Sequence, residues 1–335
     1  MSAHDFTVAY RRLKRRIAST LLNTATAKAA STRLAFVIYL ALAYSNLGIA
    51  LIACLVAPGS KIKLSAIDPS FKDKHESKES ADAENAEHAR RLGELQYLLY
   101  AEDRRSLLVV LQAMDAGGKD GTVRHVFGAM NPQGTRVHAF KVPSQEEAAH
   151  DFLWRAHLHA PARGEVVVFN RSHYEDVLVA RVHDLVPERV WSKRYGRIND
   201  FESNLIDGGT HIIKFFLHIS EDEQLERLRQ RLEDPKRRWK IAESDYTERA
   251  LWPQYMEAYE EALARTSTED ASWYVIPANH KWFRNLAVSK IVVETMEALR
   301  MKFPPPRVDI DEIRRKYHEA ARHRPGRRSA RSRRR

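Results

Sequence analysis

Ala113-Met-Asp-Ala-Gly-Gly-Lys-Asp-Gly-Thr122 follows an apolar run and precedes a helical pattern, which is the setting of a phosphate-binding loop. Gly117, Gly118 and Gly121 let the backbone approach phosphate oxygens, and Lys119 adds a mobile positive charge. The usual spacing, GxxxxGK[ST], is broken twice. Ala113 stands where the first glycine falls and Asp120 where the hydroxyl residue falls, although Thr122 follows closely. A match this altered is weak alone. Asp115 strengthens it, because a carboxylate facing phosphates is repulsive unless a divalent cation bridges them. Magnesium (Mg2+) takes one or two carboxylates plus phosphate oxygens, so Asp115 is a candidate ligand. The bland alternative is an aspartate that stabilises a turn.

A second constellation lies in Phe169-Asn-Arg-Ser-His-Tyr-Glu-Asp-Val177, directly after another apolar run. Arg171 suits phosphate oxygens, and the adjacent Glu175 and Asp176 suit metal or acid–base work. A polar helix start would explain the carboxylates but not the arginine beside them. His125, His173 and His211 fall near the strands; each reads better as a structural or phosphate-contacting residue than as a nucleophile. Loop and rim together suit phosphoryl transfer, which asks mainly for positioning and charge neutralisation.

Five apolar runs alternate with amphipathic stretches. The spacing predicts strands at Ser106 to Gln112, Thr135 to Val142, Glu165 to Phe169, His211 to Ile219 and Trp273 to Pro277. Helices are expected over Glu84 to Glu102 (Leu92, Leu95 and Leu99 on one face), from a Ser144/Glu147 capping box to His159, and over Asp222 to Leu232, Tyr246 to Arg265 and Lys281 to Met301. Such alternation implies an α/β fold with a parallel sheet covered on both faces. It also places both constellations at the carboxyl end of that sheet.

The 335 residues suffice for a large α/β domain, and 44% hydrophobic with 30% charged content is that of a soluble globular chain. The single cysteine, Cys54, excludes an internal disulfide framework and a cysteine-based zinc site. The net charge of +11 belongs to the two ends. Residues 1–33 carry seven Lys/Arg against Asp5, and residues 307–335 carry twelve against four acids, so the centre is slightly acidic. No nucleic-acid partner is expected of such a core. Residues 34–57 form an apolar run long enough to cross a bilayer. Three readings of it stand open: a segment upstream of the true start, a membrane anchor or signal-like element, and a buried helix. The Arg-rich tail is expected to lack fixed structure from about Arg322.

Beyond the loop, several segments in fixed order resemble the polyphosphate kinase 2 family. They include APGSKIKLSAIDP (57–69), AMDAGGKDGTVRHVF (113–127), NPQGTRVHAFKVPS (131–144), FNRSHYEDVLVARV (169–182) and INDFE (198–202). IIKFFLHIS (212–220), DPKRRWK (234–240), ERALWPQYMEAYE (248–260) and WYVIPANHKWFRN (273–285) complete the set. The resemblance implies a catalytic domain over 55–306, an N-terminal extension over 1–54 and a basic tail over 307–335. It implies an α/β, thymidylate-kinase-like P-loop kinase fold: three layers, a five-stranded parallel sheet and a helical lid. The implied activity is magnesium-dependent phosphoryl transfer between inorganic polyphosphate and a nucleotide (AMP, ADP or GDP), in a cytoplasmic homodimer or homotetramer.

By the same resemblance Asp115 and Asp176 look like magnesium ligands, and Lys119 and Arg171 like binders of the transferred phosphate. Gly117, Gly118, Asp120, Gly121, Thr122, Lys141 and Glu175 join them around phosphates and nucleotide. Arg231, Lys236, Arg237 and Arg238 look like the lid. FNRSHYED resembles the group that phosphorylates both nucleoside monophosphates and diphosphates; many other members carry Asp at the position of Asn170 and Asn at that of Glu175. Two competing expectations remain: an ATP-dependent nucleotide or small-molecule kinase on the same fold, and a nucleic-acid-binding protein acting through its basic tail.

Overall fold

Ser106–Gln112 forms strand β1, and every residue of it is buried. A strand with no face left for water must lie inside a sheet covered on both sides. The computed structural model describes residues 54–322 and shows that arrangement. Strands β2 (Thr135–Ala139), β3 (Val166–Asn170), β4 (Thr210–His218) and β5 (Trp273–Pro277) join β1 in the order β2-β3-β1-β4-β5. All four pairings are parallel. β2, on the outer edge, is the strand with no fully buried residue.

The connections are helical: α1 (Lys78–Glu102) before β1, then α2 (Lys119–Val126), α3 (Gln145–Ala149), α4 (Trp154–His159), α5 (Val179–Val182) and α6 (Glu188–Asp207). After β4 come α7 (Glu221–Glu233), α8 (Ser244–Ala250) and α9 (Trp252–Thr266), and after β5 come α10 (Lys281–Ala298) and α11 (Ile310–Arg322). Period-two alternation along β1 splits the core. Leu107, Val109 and Leu111 pack with Leu92, Leu95 and Leu99 of α1 and Val288 and Val292 of α10. Leu108 and Val110 pack with Tyr195, Ile198 and Phe201 of α6 and Ala258 and Leu263 of α9. The three layers expected from the sequence are present.

Several boundaries differ, each for a local reason. The stretch from Ser144 to His159 is two helices, not one. The Ser144/Glu147 capping box starts α3 as expected, but Asp151 then accepts from the Leu153 N–H and begins a new turn. Tyr246 to Arg265 is likewise interrupted at Leu251, because Pro253 brings no N–H for a preceding turn and opens α9 instead. The 20-residue α6 is not foreseen at all. The expected second strand stops at Ala139 rather than Val142, and Val142 is almost fully exposed.

At its N-terminal end the described chain adds a short edge to the sheet. Leu55 bridges Tyr274 antiparallel, and the Val56 N–H donates to Trp273 O at 2.8 Å. Of the apolar run 34–57, residues up to 53 lie outside the described residues. Among those described, no helix is long and apolar enough to cross a membrane. The first part of the basic tail is α11, and residues 323–335 lie outside the described residues.

Candidate active site

The parallel register sets Leu111 beside Asn170, so the chain leaves β1 and β3 side by side at the carboxyl end of the sheet. The Arg171 N–H donates to Leu111 O at 3.1 Å and ties the two exits together. Ala116 and Arg171 both adopt left-handed backbone, with φ of 60° and 59°. Such a conformation costs a residue with a side chain about 1 kcal/mol or more, and it clusters at functional sites. Here it turns Arg171 towards the loop. Its Nη2 lies 2.6 Å from Asp115 Oδ1 and its Nη1 3.8 Å from Glu175 Oε2.

Lys119 opens α2 and folds its buried Nζ back onto the loop, 2.7 Å from Ala113 O. Two cations and two carboxylates therefore share one small volume. Burial pushes the Asp115 carboxyl up, but Lys119, Arg171 and Arg231 overcome it and hold the group below the usual carboxylate range. For Glu175 burial wins over Arg171 and Lys119, and its carboxyl lies above the usual range. Burial likewise pushes the Lys119 ammonium down despite Asp115. Environments that drive two carboxyls apart are a mark of functional sites.

Asp120, at the position of the missing hydroxyl, links three parts of the site. It accepts from Asn170 Nδ2 at 2.8 Å and lies 3.6 Å from Lys240 Nζ of the connection after α7. The loop is braced from below. Gln224 donates to Asp115 O at 2.9 Å and Arg227 to Ala116 O at 2.9 Å. Gly118, at φ 106°, permits this close packing: a Cβ there would sit 1.9 Å from Arg284 Nη1. Asn170, Gln224, Arg227, Lys240 and Arg284 were not singled out by residue type and spacing. Single polar residues on amphipathic segments look like solvated ones until the fold turns them inward.

A groove of about 1080 Å³ runs over the loop. Asp115, Gly117, Gly118, Lys119, Asp120, Gly121, Lys141, Arg171, Arg231, Lys236 and Arg237 all line it. Thr122, Glu175, Asp176 and Arg238 do not. Thr122 is buried and returns its hydroxyl to Gly118 O, while Arg238 Nε donates to Leu232 O. Asp176 lies outside the groove lining as well. Its carboxylate is held by Arg155 at 3.3 Å and Arg194 at 3.2 Å, outside the cluster of Asp115, Lys119, Arg171 and Glu175. The 3₁₀ turn His173–Asp176 explains the split, since successive side chains of such a turn point about 120° apart. Glu175 thus shares Arg171 with Asp115, whereas Asp176 is held by Arg155 and Arg194. Of the three histidines, His125 lines the groove, His173 is fully buried and His211 lies at the opposite end of β4.

Beneath that turn lies a buried ionic network. Lys214 Nζ is 2.5 Å from Glu202 Oε2 and donates to Tyr174 Oη at 3.0 Å and Thr266 O at 2.7 Å. Tyr174 in turn donates to Glu202 Oε1 at 2.8 Å, so β4, α6 and the rim turn are locked together. Glu202→Gln would leave Lys214 buried without its counter-ion. Urea unfolding is expected to show a loss of roughly 3 kcal/mol; a change within 0.5 kcal/mol, the ordinary range on a surface, would show that the pair contributes nothing.

Among the described residues no group of three or more His, Cys, Asp or Glu side chains is placed to hold a metal ion.

The chain is similar to known proteins over most of its length. Residues 75–304 match the family model "Polyphosphate kinase 2 (PPK2)". An AMP/ADP-polyphosphate phosphotransferase of Meiothermus ruber is 54% identical over 259 residues, covering 77% of this chain and 97% of the relative. An ADP-polyphosphate phosphotransferase of Rhodopseudomonas palustris is 44% identical over 261 residues, covering 74% and 90%. Among solved structures, polyphosphate kinase 2 of Arthrobacter aurescens superposes with a TM-score of 0.75 at 42% identity, covering 79% of this chain and 98% of that one.

Proposed function

The chain belongs to the polyphosphate kinase 2 family, and on that premise we propose that it moves phosphoryl groups between inorganic polyphosphate and nucleotides, making nucleoside diphosphates and triphosphates from AMP and ADP. The observation that carries the reading is the cationic groove over the loop, with Lys119 and Arg171 beside Asp115 at its floor. The FNRSHYED rim and the similarity to an AMP/ADP-polyphosphate phosphotransferase support both acceptors.

In this reading the loop N–H groups and Lys119 hold the phosphate to be transferred. Arg171 neutralises charge as it spreads over the equatorial oxygens. Arg231, Lys236 and Arg237 face the same groove from the lid and exclude water. Magnesium would be held beside Asp115, with Glu175, which neighbours the same Arg171, as a second carboxylate. Bound there, it would offset phosphate charge that Asp115 otherwise repels. Asp176 acts through Arg155 and Arg194, whose guanidiniums it orients; Arg155 also donates to Lys141 O, on the wall at the β2 end of the groove. The nucleotide acceptor favours a cytoplasmic setting. The exposed apolar stripe of α11, Ile310, Ile313 and Tyr317, supports a homodimer or homotetramer.

The test is direct. Purified protein given long-chain polyphosphate, magnesium and AMP or ADP is expected to form ADP and ATP, read by anion-exchange chromatography. No nucleotide product, together with activity on ATP and an organic acceptor, would replace this reading with the ATP-dependent kinase.

A further inference from the structure

Arg284, among the described residues, is a buried cation that the site as described does not use. It sits in the first turn of α10, is 2% exposed, and its guanidinium lies against the phosphate loop. A Cβ on Gly118 would meet its Nη1 at 1.9 Å, and one on Gly121 its Nη2 at 3.0 Å. Its side-chain hydrogen bonds run from Nε and Nη2 to the amide oxygen of Asn285, at 3.2 and 2.8 Å. Among the described residues no carboxylate lies within ion-pairing distance. The charge that acts on it is the like charge of Arg227, and burial with that repulsion pushes the guanidinium down to about 9.

Arg227 shows what a structural arginine in this place looks like. It pairs with Glu223 at 2.7 Å and spends its remaining donors on the carbonyls of Ala116, Ala278 and Asn279. Arg284 has no such set. A buried guanidinium without a counter-ion is costly, and it persists where an anion supplied from outside completes the site. The groove wall on which Arg284 lies also carries Lys281, Arg124 and His125.

We propose that Arg284 binds the phosphates of the donor chain that trail the transferred one, and so holds an inorganic polyphosphate against the back of the loop. The inference rests on the functional reading above and adds to it the direction in which the donor leaves the transfer point. A trailing polyanion offers a negative oxygen at every step, which a nucleoside in the same place would not.

The variants Arg284→Met and Arg284→Lys test this with two readouts. In steady-state assays Arg284→Met is expected to raise the KM for long-chain polyphosphate about tenfold or more, the usual effect of losing a charge-assisted contact. The KM for ADP should stay unchanged, and Arg284→Lys should recover much of the loss. In thermal unfolding without any anion, Arg284→Met should be at least as stable as the wild type, since it removes an uncompensated buried charge. Added polyphosphate should stabilise Arg284→Met far less than the wild type. An unchanged polyphosphate KM, or a variant that is destabilised without anion while still stabilised normally by polyphosphate, would overturn the inference and make Arg284 a packing residue. Absence of polyphosphate-dependent turnover in the wild type would instead overturn the functional reading.

Discussion

Asp115→Asn is expected to lower phosphoryl transfer from polyphosphate to ADP by roughly a thousandfold while the protein stays folded. The substitution keeps the shape of the side chain and removes its charge. In the native site that charge is present at neutral pH, because Lys119, Arg171 and Arg231 together outweigh burial and hold the carboxyl below its usual range. Asparagine would leave Arg171 without its 2.6 Å counter-ion and leave any cation beside the loop with one carboxylate fewer, Glu175 and Asp120 remaining near Lys119. Lost charge on the metal side should appear as a higher magnesium requirement as well as a lower kcat. The backbone carbonyl of residue 115 still accepts from Gln224, so the loop should keep its brace and the unfolding midpoint should move little. Initial rates over a magnesium titration, with thermal unfolding of the same preparation, check both halves. Full activity at ordinary magnesium would remove Asp115 from the phosphate site.

Much of this site is legible in the sequence, and the limits have physical causes. β1 and β5 read correctly because a run of apolar residues buried on both faces has no other place in an α/β fold. Once those strands are parallel, the two loops must meet at one end, and Asp115, Lys119 and Arg171 come together as expected. α6 escapes because Arg, Lys, Asp and Gly196 dilute its pattern. Its signal was present in Trp191, Tyr195, Ile198 and Phe201, which share one buried face, and in Pro187 at the cap. Glu175 and Asp176 are adjacent in sequence, and no periodicity tells which faces the phosphate loop. Only the 3₁₀ turn decides, and it sends Glu175 to Arg171 and Asp176 to Arg155 and Arg194. Arg237 and Arg238 present the same difficulty in the lid, where one lines the groove and the other turns back to Leu232 O. Arg284 is harder still, since nothing local distinguishes a solvated arginine from a buried one 160-odd residues from the loop it touches.

Lys119→Met carries the other large expected effect, a fall in kcat of roughly a thousandfold with a rise of about tenfold in the KM for polyphosphate. Methionine keeps the buried aliphatic stem and deletes the ammonium, so the loop retains its packing but loses its one interior cation. Stability should move the other way from activity. Burial depresses the Lys119 ammonium in the folded state, so the fold disfavours its charged form, and that cost is present at neutral pH and disappears only as pH rises through the ordinary lysine range. Removing the charge is therefore expected to leave the unfolding midpoint at neutral pH unchanged or raised, against the loss of one hydrogen bond to Ala113 O. Inactivity together with undiminished stability is what separates a residue kept for phosphate from one kept for the fold. A Lys119→Met protein that turns over normally would refute the phosphate role, and one that is both inactive and markedly less stable would assign Lys119 to holding the loop rather than the substrate.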